Sequence, residues 1–255
     1  MLKLNGLKWT AEDGAEILKG IDMEVGNGKL TIVTGPNGGG KTSLAKVISG
    51  VLPITEGEIR MDDLDLTEMN ITERAKAGVA YAFQQPVRFK GITVRDMLEL
   101  AAGGSISEDE IYEIMDSVGV CAPDYIDRDV DTSLSGGEIK RIEIASVLAR
   151  RDAKLLIFDE PEAGIDLWSF HGLVGTFEKL KRQSDKMLMV ISHQERLLEI
   201  ADEIVVIADG RVRVAGPREE VLPQLLADEK TICPTGKDDC RNLADNLRKE
   251  FLKNE

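Results

Sequence analysis

The strongest constraint on the fold is a glycine-rich segment, which runs Gly35-Pro36-Asn37-Gly38-Gly39-Gly40-Lys41-Thr42. An apolar run at 29–34 precedes it and a helical pattern at 43–49 follows it, and this strand–loop–helix context is what a phosphate-binding loop needs. The glycines let backbone N–H groups turn towards phosphate oxygens, while the following helix directs the positive end of its dipole at the same anion. The segment therefore predicts a binding site for a nucleoside triphosphate.

The side chains that close this loop have predicted roles of their own. Lys41 brings a positive charge to the β- and γ-phosphates, and the Thr42 hydroxyl is placed to bind Mg²⁺. A glycine-rich turn with a chance lysine is the alternative, and the flanking strand and helix argue against it. The predicted nucleotide-binding residues of this segment are Gly35, Pro36, Asn37, Gly38, Gly39, Gly40, Lys41, Thr42 and Ser43.

Composition argues against several classes of protein. The net charge of −14 over 255 residues disfavours a broad nucleic-acid surface, which needs clustered lysine and arginine. No apolar stretch approaches the length of a membrane span, and the amino terminus lacks the apolar stretch of a signal peptide. The three cysteines, Cys121, Cys233 and Cys240, do not make a disulfide framework. We expect a cytoplasmic protein that has no nucleic-acid partner and no direct insertion into a membrane.

The hydrophobic pattern changes twice along the chain. Strand-like runs dominate up to the phosphate loop and just beyond it, whereas helical spacing takes over from about 87 to 150. Two apolar runs, 154–158 and 187–191, then flank a helical pattern over about 167–183. Strand–helix–strand alternation of this kind predicts an α/β fold with a parallel sheet covered by helices, into which the region 87–150 is inserted as a helical unit.

An acidic pair follows the first of these apolar runs. Asp159 would lie beside the phosphate loop and hold Mg²⁺, and Glu160 could polarise the water that attacks the phosphate. Strands often end in a surface carboxylate, so this pattern is weak by itself. Its position downstream of a phosphate loop favours the catalytic interpretation.

A second anion site is predicted where Ser135, Gly136 and Gly137 open a helix. The exposed N–H groups and the dipole of a helix start attract anions. A simple helix cap with flexible glycines is the alternative, and the phosphate loop upstream favours the anion site.

In order and spacing, these segments resemble the motifs of the ABC-type ATPases over residues 1–225. The phosphate loop matches the Walker A motif, 134–138 matches the signature motif, and Asp159 with Glu160 matches Walker B and its catalytic glutamate. Gln84 matches the glutamine of the Q-loop, His193 matches the switch histidine, and Ala163-Gly164-Ile165-Asp166 matches the D-loop. The resemblance implies a P-loop NTPase fold of ABC ATPase type, with a mixed or parallel core sheet, an antiparallel β subdomain and a helical subdomain.

The resemblance also implies an ATPase whose site is shared between two chains. In this family, ATP at the Walker A motif of one subunit is covered by the signature motif of the other, so an ATP-dependent homodimer is expected. Ser135, Gly136, Gly137 and Asp166 would then contact the nucleotide. The implied catalytic residues are Glu160, His193, Gln84 and Lys41, and the implied Mg²⁺ ligands are Thr42, Gln84 and Asp159.

An aromatic residue that stacks on adenine is a further family feature. Trp9 lies at about the matching distance before the phosphate loop. A tryptophan that only packs within a strand is the alternative.

Details of the motifs are similar to one branch, the SufC-type ATPases of the SUF iron–sulfur cluster assembly system. Glu138 stands where transporter subunits usually have glutamine, Gly164 stands where they usually have alanine, and the segment 84–93 is similar to the corresponding SufC loop. Pro161 departs from that branch and matches the common transporter form. The resemblance therefore implies a SufB- or SufD-like scaffold as partner, with a membrane permease as the alternative.

The carboxyl-terminal part, 229–255, lies beyond the domain predicted at 1–228. It holds Cys233 and Cys240 and an amphipathic helical pattern over about 241–253. The cysteines are either ordinary residues on a turn or a metal or redox site, although their spacing is not a familiar zinc pattern.

Overall fold

A computed structural model describes residues 1–228 of the chain. The strands are β1 (Leu2–Thr10), β2 (Glu16–Val25), β3 (Leu30–Thr34), β4 (Glu56–Met61), β5 (Leu64–Asp65), β6 (Val79–Ala82), β7 (Leu155–Asp159), β8 (Met187–Ile191), β9 (Glu203–Ala208) and β10 (Arg211–Pro217). The helices are α1 (Lys41–Ser49), α2 (Ile71–Ala77), α3 (Val94–Ala102), α4 (Glu108–Ser117), α5 (Ala122–Tyr125), α6 (Gly136–Ala149), α7 (Leu167–Gln183), α8 (Glu195–Ile200) and α9 (Arg218–Asp228).

The strands form two sheets. The larger one has the order β10-β9-β3-β8-β7-β6, in which β10 is antiparallel to β9 and the other neighbours are parallel. The smaller sheet, β2-β1-β4-β5, is antiparallel throughout. This arrangement confirms the predicted α/β class with a mixed core sheet and an antiparallel β subdomain.

The central strands β3, β7 and β8 are buried along their whole length, as expected of parallel strands covered on both faces. One hydrophobic core lies between this sheet and the helices that cover it, those of the insert and α7 among them, and it includes an edge-to-face pair of Phe158 and Phe177 with ring centroids 5.0 Å apart. A second core lies around α1 and the antiparallel sheet. The sheets and α1 thus hold the phosphate loop between two packed layers.

The region predicted as a helical insert contains α3, α4, α5 and α6. Val94 and Leu98 of α3 are fully buried, whereas Leu100 is 71% exposed, because two residues along a helix turn the side chain to the far side. Of the helices within residues 1–228, none combines the length and apolar character needed to cross a bilayer.

Three helices were not predicted from the pattern of residues: α2, α8 and α9. Helices α2 and α8 are only seven and six residues long, and α9 contains Pro223, a residue that argues against a helix interior. The predicted helix over about 241–253, Cys233 and Cys240 all lie outside the described residues, and the proposed division at residue 228 stays a prediction.

Candidate functional site

The phosphate loop connects β3 to α1 in a conformation that only glycine can adopt at two positions. Gly35 has φ 131°, and a Cβ there would lie 2.1 Å from the backbone oxygen of Ile207 in β9. Gly40 has φ 102°, and its Cβ would lie 3.0 Å from Leu18 Cδ2. The loop is therefore pressed against both sheets and leads directly into the N-terminus of α1, the helix end that attracts anions.

A cleft of about 460 Å³ opens over this loop. It has the size of a ligand site for a nucleotide-sized molecule. Its lining residues are Ile17, Asn37, Gly38, Gly39, Gly40, Lys41, Thr42, Ser43, Gln84 and Glu160. The structure thus brings the loop together with the Q-loop glutamine and the glutamate that follows β7.

Lys41 lies across the phosphate loop, with only 7% of its surface exposed. Its Nζ donates to the backbone oxygens of Gly35 (2.7 Å) and Pro36 (3.0 Å). Burial lowers the pKa of this ammonium group below its usual range. A phosphate anion at the loop would relieve that burial cost, because an adjacent negative charge favours the charged form of lysine.

Asp159 ends β7 next to the first turn of α1 and is fully buried. Its Oδ1 accepts a hydrogen bond from the Thr42 hydroxyl at 3.2 Å, and its Oδ2 accepts one from the Tyr81 hydroxyl at 3.0 Å. Burial raises the pKa of the Asp159 carboxyl, while these two hydrogen bonds act in the opposite direction. Two of the predicted Mg²⁺ ligands, Thr42 and Asp159, are therefore in direct contact.

The oxygen groups around Thr42 suit Mg²⁺. This ion prefers hard oxygen ligands and is usually held by one or two protein groups together with substrate phosphates and water. Thr42 and Asp159 supply a hydroxyl and a carboxylate, and Gln84 lines the same cleft. Within the described residues there is no cluster of three or more acidic, histidine or cysteine side chains that could hold a metal without such phosphates.

Glu160 occupies the left-handed region at φ 46°, which is uncommon for a residue with a side chain. Its Oε2 accepts a hydrogen bond of 2.7 Å from Gln84 Nε2. Local strain of this type is frequent where a side chain must be held at a reactive position. Gln84 and Glu160, which both line the cleft, are thus in direct contact, and their catalytic roles stay predictions.

The predicted second anion site forms the exposed start of α6. Ser135 is the N-cap, its Oγ accepts from the Glu138 N–H at 3.3 Å, and Glu138 Oε2 accepts from the Ser135 N–H at 2.7 Å. Hydrogen bonds from the Tyr125 hydroxyl and from Ser135 lower the pKa of Glu138 to about 2. The structure shows the capped helix start, and the anion-binding role of Ser135, Gly136 and Gly137 stays a prediction.

The D-loop packs directly on this helix start. A Cβ on Gly137 would lie 2.8 Å from the Gly164 backbone oxygen. Asp166 caps α7, since its Oδ1 accepts from the N–H groups of Trp168 and Ser169, each at 3.0 Å. The signature motif and the D-loop therefore form one surface.

Several predicted site residues lie away from the cleft. Ser135, Gly136, Gly137 and Asp166 do not line it, and neither do His193, which is exposed after β8, and Trp9, which is half-buried in β1 against the second core. Their roles stay predictions.

Two residues that were not predicted contribute to the site. Ile17 lines the cleft from β2, and Tyr81 from β6 holds Asp159. Tyr81 lies within an otherwise buried strand, and its place in that strand was the only signal that it could reach the end of the neighbouring strand. No local pattern marks Ile17 as a residue of the site.

Comparison with known proteins connects this geometry to one family. The ABC transporter family profile matches residues 18–163. A Methanocaldococcus jannaschii protein, named as an uncharacterized ABC transporter ATP-binding protein, is 40% identical over 214 residues, which cover 81% of this chain and 85% of that protein. A probable ATP-dependent transporter of Cyanophora paradoxa is 32% identical over 234 residues, covering 86% and 89%.

Solved structures show the same fold. A dimeric bacterial ABC transporter cassette has a TM-score of 0.77 at 22% identity, covering 86% of this chain and 99% of that one. The same cassette in a dimeric post-hydrolysis state, bound to ADP and phosphate, has a TM-score of 0.76 at 22% identity, with the same coverage. From the profile match and the identities of its relatives, the chain belongs to the ABC transporter family of ATP-binding domains and is an ATP-hydrolysing enzyme.

Proposed function

We propose that two copies of this ATPase close head to tail around two ATP molecules. The proposal rests on one observation: the predicted second anion site and the phosphate loop lie apart within one chain. Ser135 and Gly136 form an exposed helix start suited to an anion, yet neither lines the cleft that contains Lys41. A second copy would bring that helix start over the triphosphate and complete the site.

Exposed apolar residues beside the D-loop support the same proposal. Leu167 and Trp168 are 65% and 85% exposed, directly after Asp166. Large apolar side chains grouped on a surface are typical of protein contacts. The similar cassettes are dimeric, which is a further argument for a second copy at this face.

Within the closed site, each residue of the cleft has a defined task. Lys41 and the N–H groups of the phosphate loop bind the β- and γ-phosphates. Glu160 accepts a proton from water while the water oxygen bonds to the γ-phosphorus and the bond to the bridging oxygen of ADP breaks. His193 and Gln84 orient the γ-phosphate and the water, and Ser135 with Gly137 contact the γ-phosphate of the partner's ATP. Thr42, Asp159 and Gln84 would hold Mg²⁺, which would neutralise charge on the phosphate oxygens.

The molecular mass in solution of a variant that hydrolyses ATP slowly tests this arrangement. Glu160→Gln keeps the size of the side chain and removes the base, so ATP should stay bound and the variant should have twice the monomer mass with ATP and Mg²⁺. With ADP it should have the monomer mass. Lys41→Ala, which loses the phosphate contact, is the control that should stay monomeric in both nucleotides. A Glu160→Gln variant that has the same molecular mass with ATP as with ADP would contradict the proposal.

We further propose that closure drives a conformational change in a partner protein held by the helical subdomain. A groove of about 760 Å³ follows the Q-loop, between the start and the end of α3. The apolar residues Val87, Phe89 and Leu100 are 45%, 38% and 71% exposed in the same region. Because Gln84 contacts Glu160, a partner that grips the segment after Gln84 would sense the state of the nucleotide.

The partner class is proposed from the relatives. Their names, ABC transporter ATP-binding protein and ATP-dependent transporter, support a membrane permease. A SufB- or SufD-like scaffold for iron–sulfur cluster assembly is the second candidate, which Glu138 and Gly164 favour through the resemblance to the SufC branch. In either case we place the chain on the cytoplasmic side of the membrane or in the cytoplasm.

Purification of the intact complex from the native host separates the two candidates. Recovery of an integral membrane protein supports the transporter subunit, and recovery of a water-soluble scaffold without one supports the second candidate. Leu100→Arg should abolish co-purification of the partner, whichever candidate it is, while the basal ATPase rate stays unchanged. Leu226→Arg, an equally drastic change at an exposed leucine of α9, is the matched control that should retain the partner.

A further inference from the structure

A buried ion pair links the signature helix to the Q-loop. Lys140 and Glu143 of α6 are 1% and 6% exposed, and Lys140 Nζ lies 3.7 Å from Glu143 Oε2. Lysine and glutamate are almost never fully buried without a partner, because taking a charge out of water is costly. Apolar residues of similar size often give equal stability at such positions, so the contacts of the pair indicate what it does.

The two side chains bind the N–H and the carbonyl oxygen of the same residue, Phe83. The Phe83 N–H donates to Glu143 Oε1 at 3.0 Å, and Lys140 Nζ donates to the Phe83 backbone oxygen. Lys140 Nζ also donates to the backbone oxygens of Gln84 and Asp159, each at 3.3 Å. Lys140 thus joins the signature helix, the Q-loop and the end of β7 at a single ammonium group.

We propose that Lys140 and Glu143 are positioning residues, which hold the Gln84 amide against Glu160 and keep both at a fixed distance from the signature motif. The path is short and continuous. Ser135 starts the same helix that carries Lys140, Lys140 binds the backbone of Gln84, and Gln84 Nε2 contacts Glu160 Oε2 at 2.7 Å. Movement of α6, when a partner's ATP binds at its start, is passed to Glu160 through this pair. The inference rests on the proposed roles of Gln84 and Glu160.

The pair can be removed without leaving a buried charge. Lys140→Met alone leaves Glu143 unpaired and should lower the melting temperature, since breaking a buried ion pair is strongly destabilising. The double variant Lys140→Met with Glu143→Gln removes both charges and keeps an acceptor for the Phe83 N–H. It should recover most of the melting temperature, but it still lacks the donor to the Phe83, Gln84 and Asp159 backbone oxygens.

Steady-state ATPase kinetics and thermal unfolding of both variants test the inference. We expect kcat to fall about tenfold or more in the single and in the double variant, while KM for ATP stays within about threefold of the wild-type value. Lys140→Arg, which keeps a cationic donor, should recover part of kcat. Lys186→Met is the matched control, because Lys186 also donates to a backbone oxygen, that of Arg150 at 2.9 Å, away from the cleft.

Recovery of kcat together with the melting temperature in the double variant would overturn the inference and leave the pair a purely structural one. The proposed roles at the cleft have a separate test, because Glu160→Gln should be nearly inactive in the same assay. An inactive Glu160→Gln with an active double variant refutes only the coupling through Lys140. An active Glu160→Gln refutes the role of Glu160 itself.

Discussion

Gly136→Ala distinguishes a site completed by a second chain from one contained in a single chain. A Cβ on Gly136 has no heavy atom of its own chain within 4 Å, so the methyl group causes no clash in the monomer. Replacing glycine by alanine in a helix stabilises a protein by at most about 1 kcal/mol. For a domain of this size, that corresponds to a rise in melting temperature of about 2–4 °C.

In the proposed dimer, the same methyl group faces the γ-phosphate of the ATP bound by the partner. We therefore expect normal folding and normal binding of ATP to the phosphate loop, measured with a fluorescent nucleotide, but a kcat at least about tenfold lower, a barrier increase of about 1.4 kcal/mol. Gly172→Ala inside α7, which also has nothing within 4 Å, should gain the same stability and keep its turnover. A Gly136→Ala variant with wild-type turnover would refute the reasoning.

Three further predictions follow from the site. Glu160→Gln should slow hydrolysis by about 10²–10⁴-fold, the usual loss for a general base, and a normal rate in a phosphate-release assay would remove Glu160 from this role. Ile17→Ala should raise the Kd for ATP by about three- to tenfold, because an apolar contact of about 1 kcal/mol is lost. If Trp9→Ala weakens ATP binding and Ile17→Ala does not, the prediction that Trp9 stacks on adenine is favoured over a contact from Ile17. Glu138 has a folded-state pKa lowered from 4.5 to about 2, so its contribution to stability is present above pH 4.5 and is lost as the pH falls towards 2. The difference in unfolding free energy between wild type and Glu138→Gln should therefore shrink over that interval, and a constant difference would contradict the assignment.

The core of the fold could be predicted because its signals are local. The phosphate loop, the buried runs before Asp159 and Ser192, and α7 are each marked by a pattern within a few neighbouring residues, and they lie where predicted. Helix α2 was missed because it is only seven residues long and most of its stability comes from outside its own apolar pattern. Its Asn70–Glu73 capping box and the Arg74 side chain, which donates to four backbone oxygens, hold it in place.

The rest of the site depends on contacts that no local pattern encodes. Ile17 lines the cleft only because the antiparallel sheet packs against the phosphate loop, and Tyr81 reaches Asp159 only because β6 pairs with β7. No local pattern marks Lys140 and Glu143 as buried, because charged residues on a helix usually face water. Helix α6 is instead covered on this side by the Q-loop, so its polar residues are buried and paired.

Mixing two inactive variants tests most directly whether each ATP site is built from two chains. Lys41→Ala removes the phosphate contact and keeps the signature motif, whereas Gly136→Glu blocks the signature motif and keeps Lys41. In a head-to-tail dimer, every mixed pair has one intact site, so an equimolar mixture should recover about a quarter of the wild-type turnover per chain. Turnover no higher than the sum of the two variants measured separately would contradict the account.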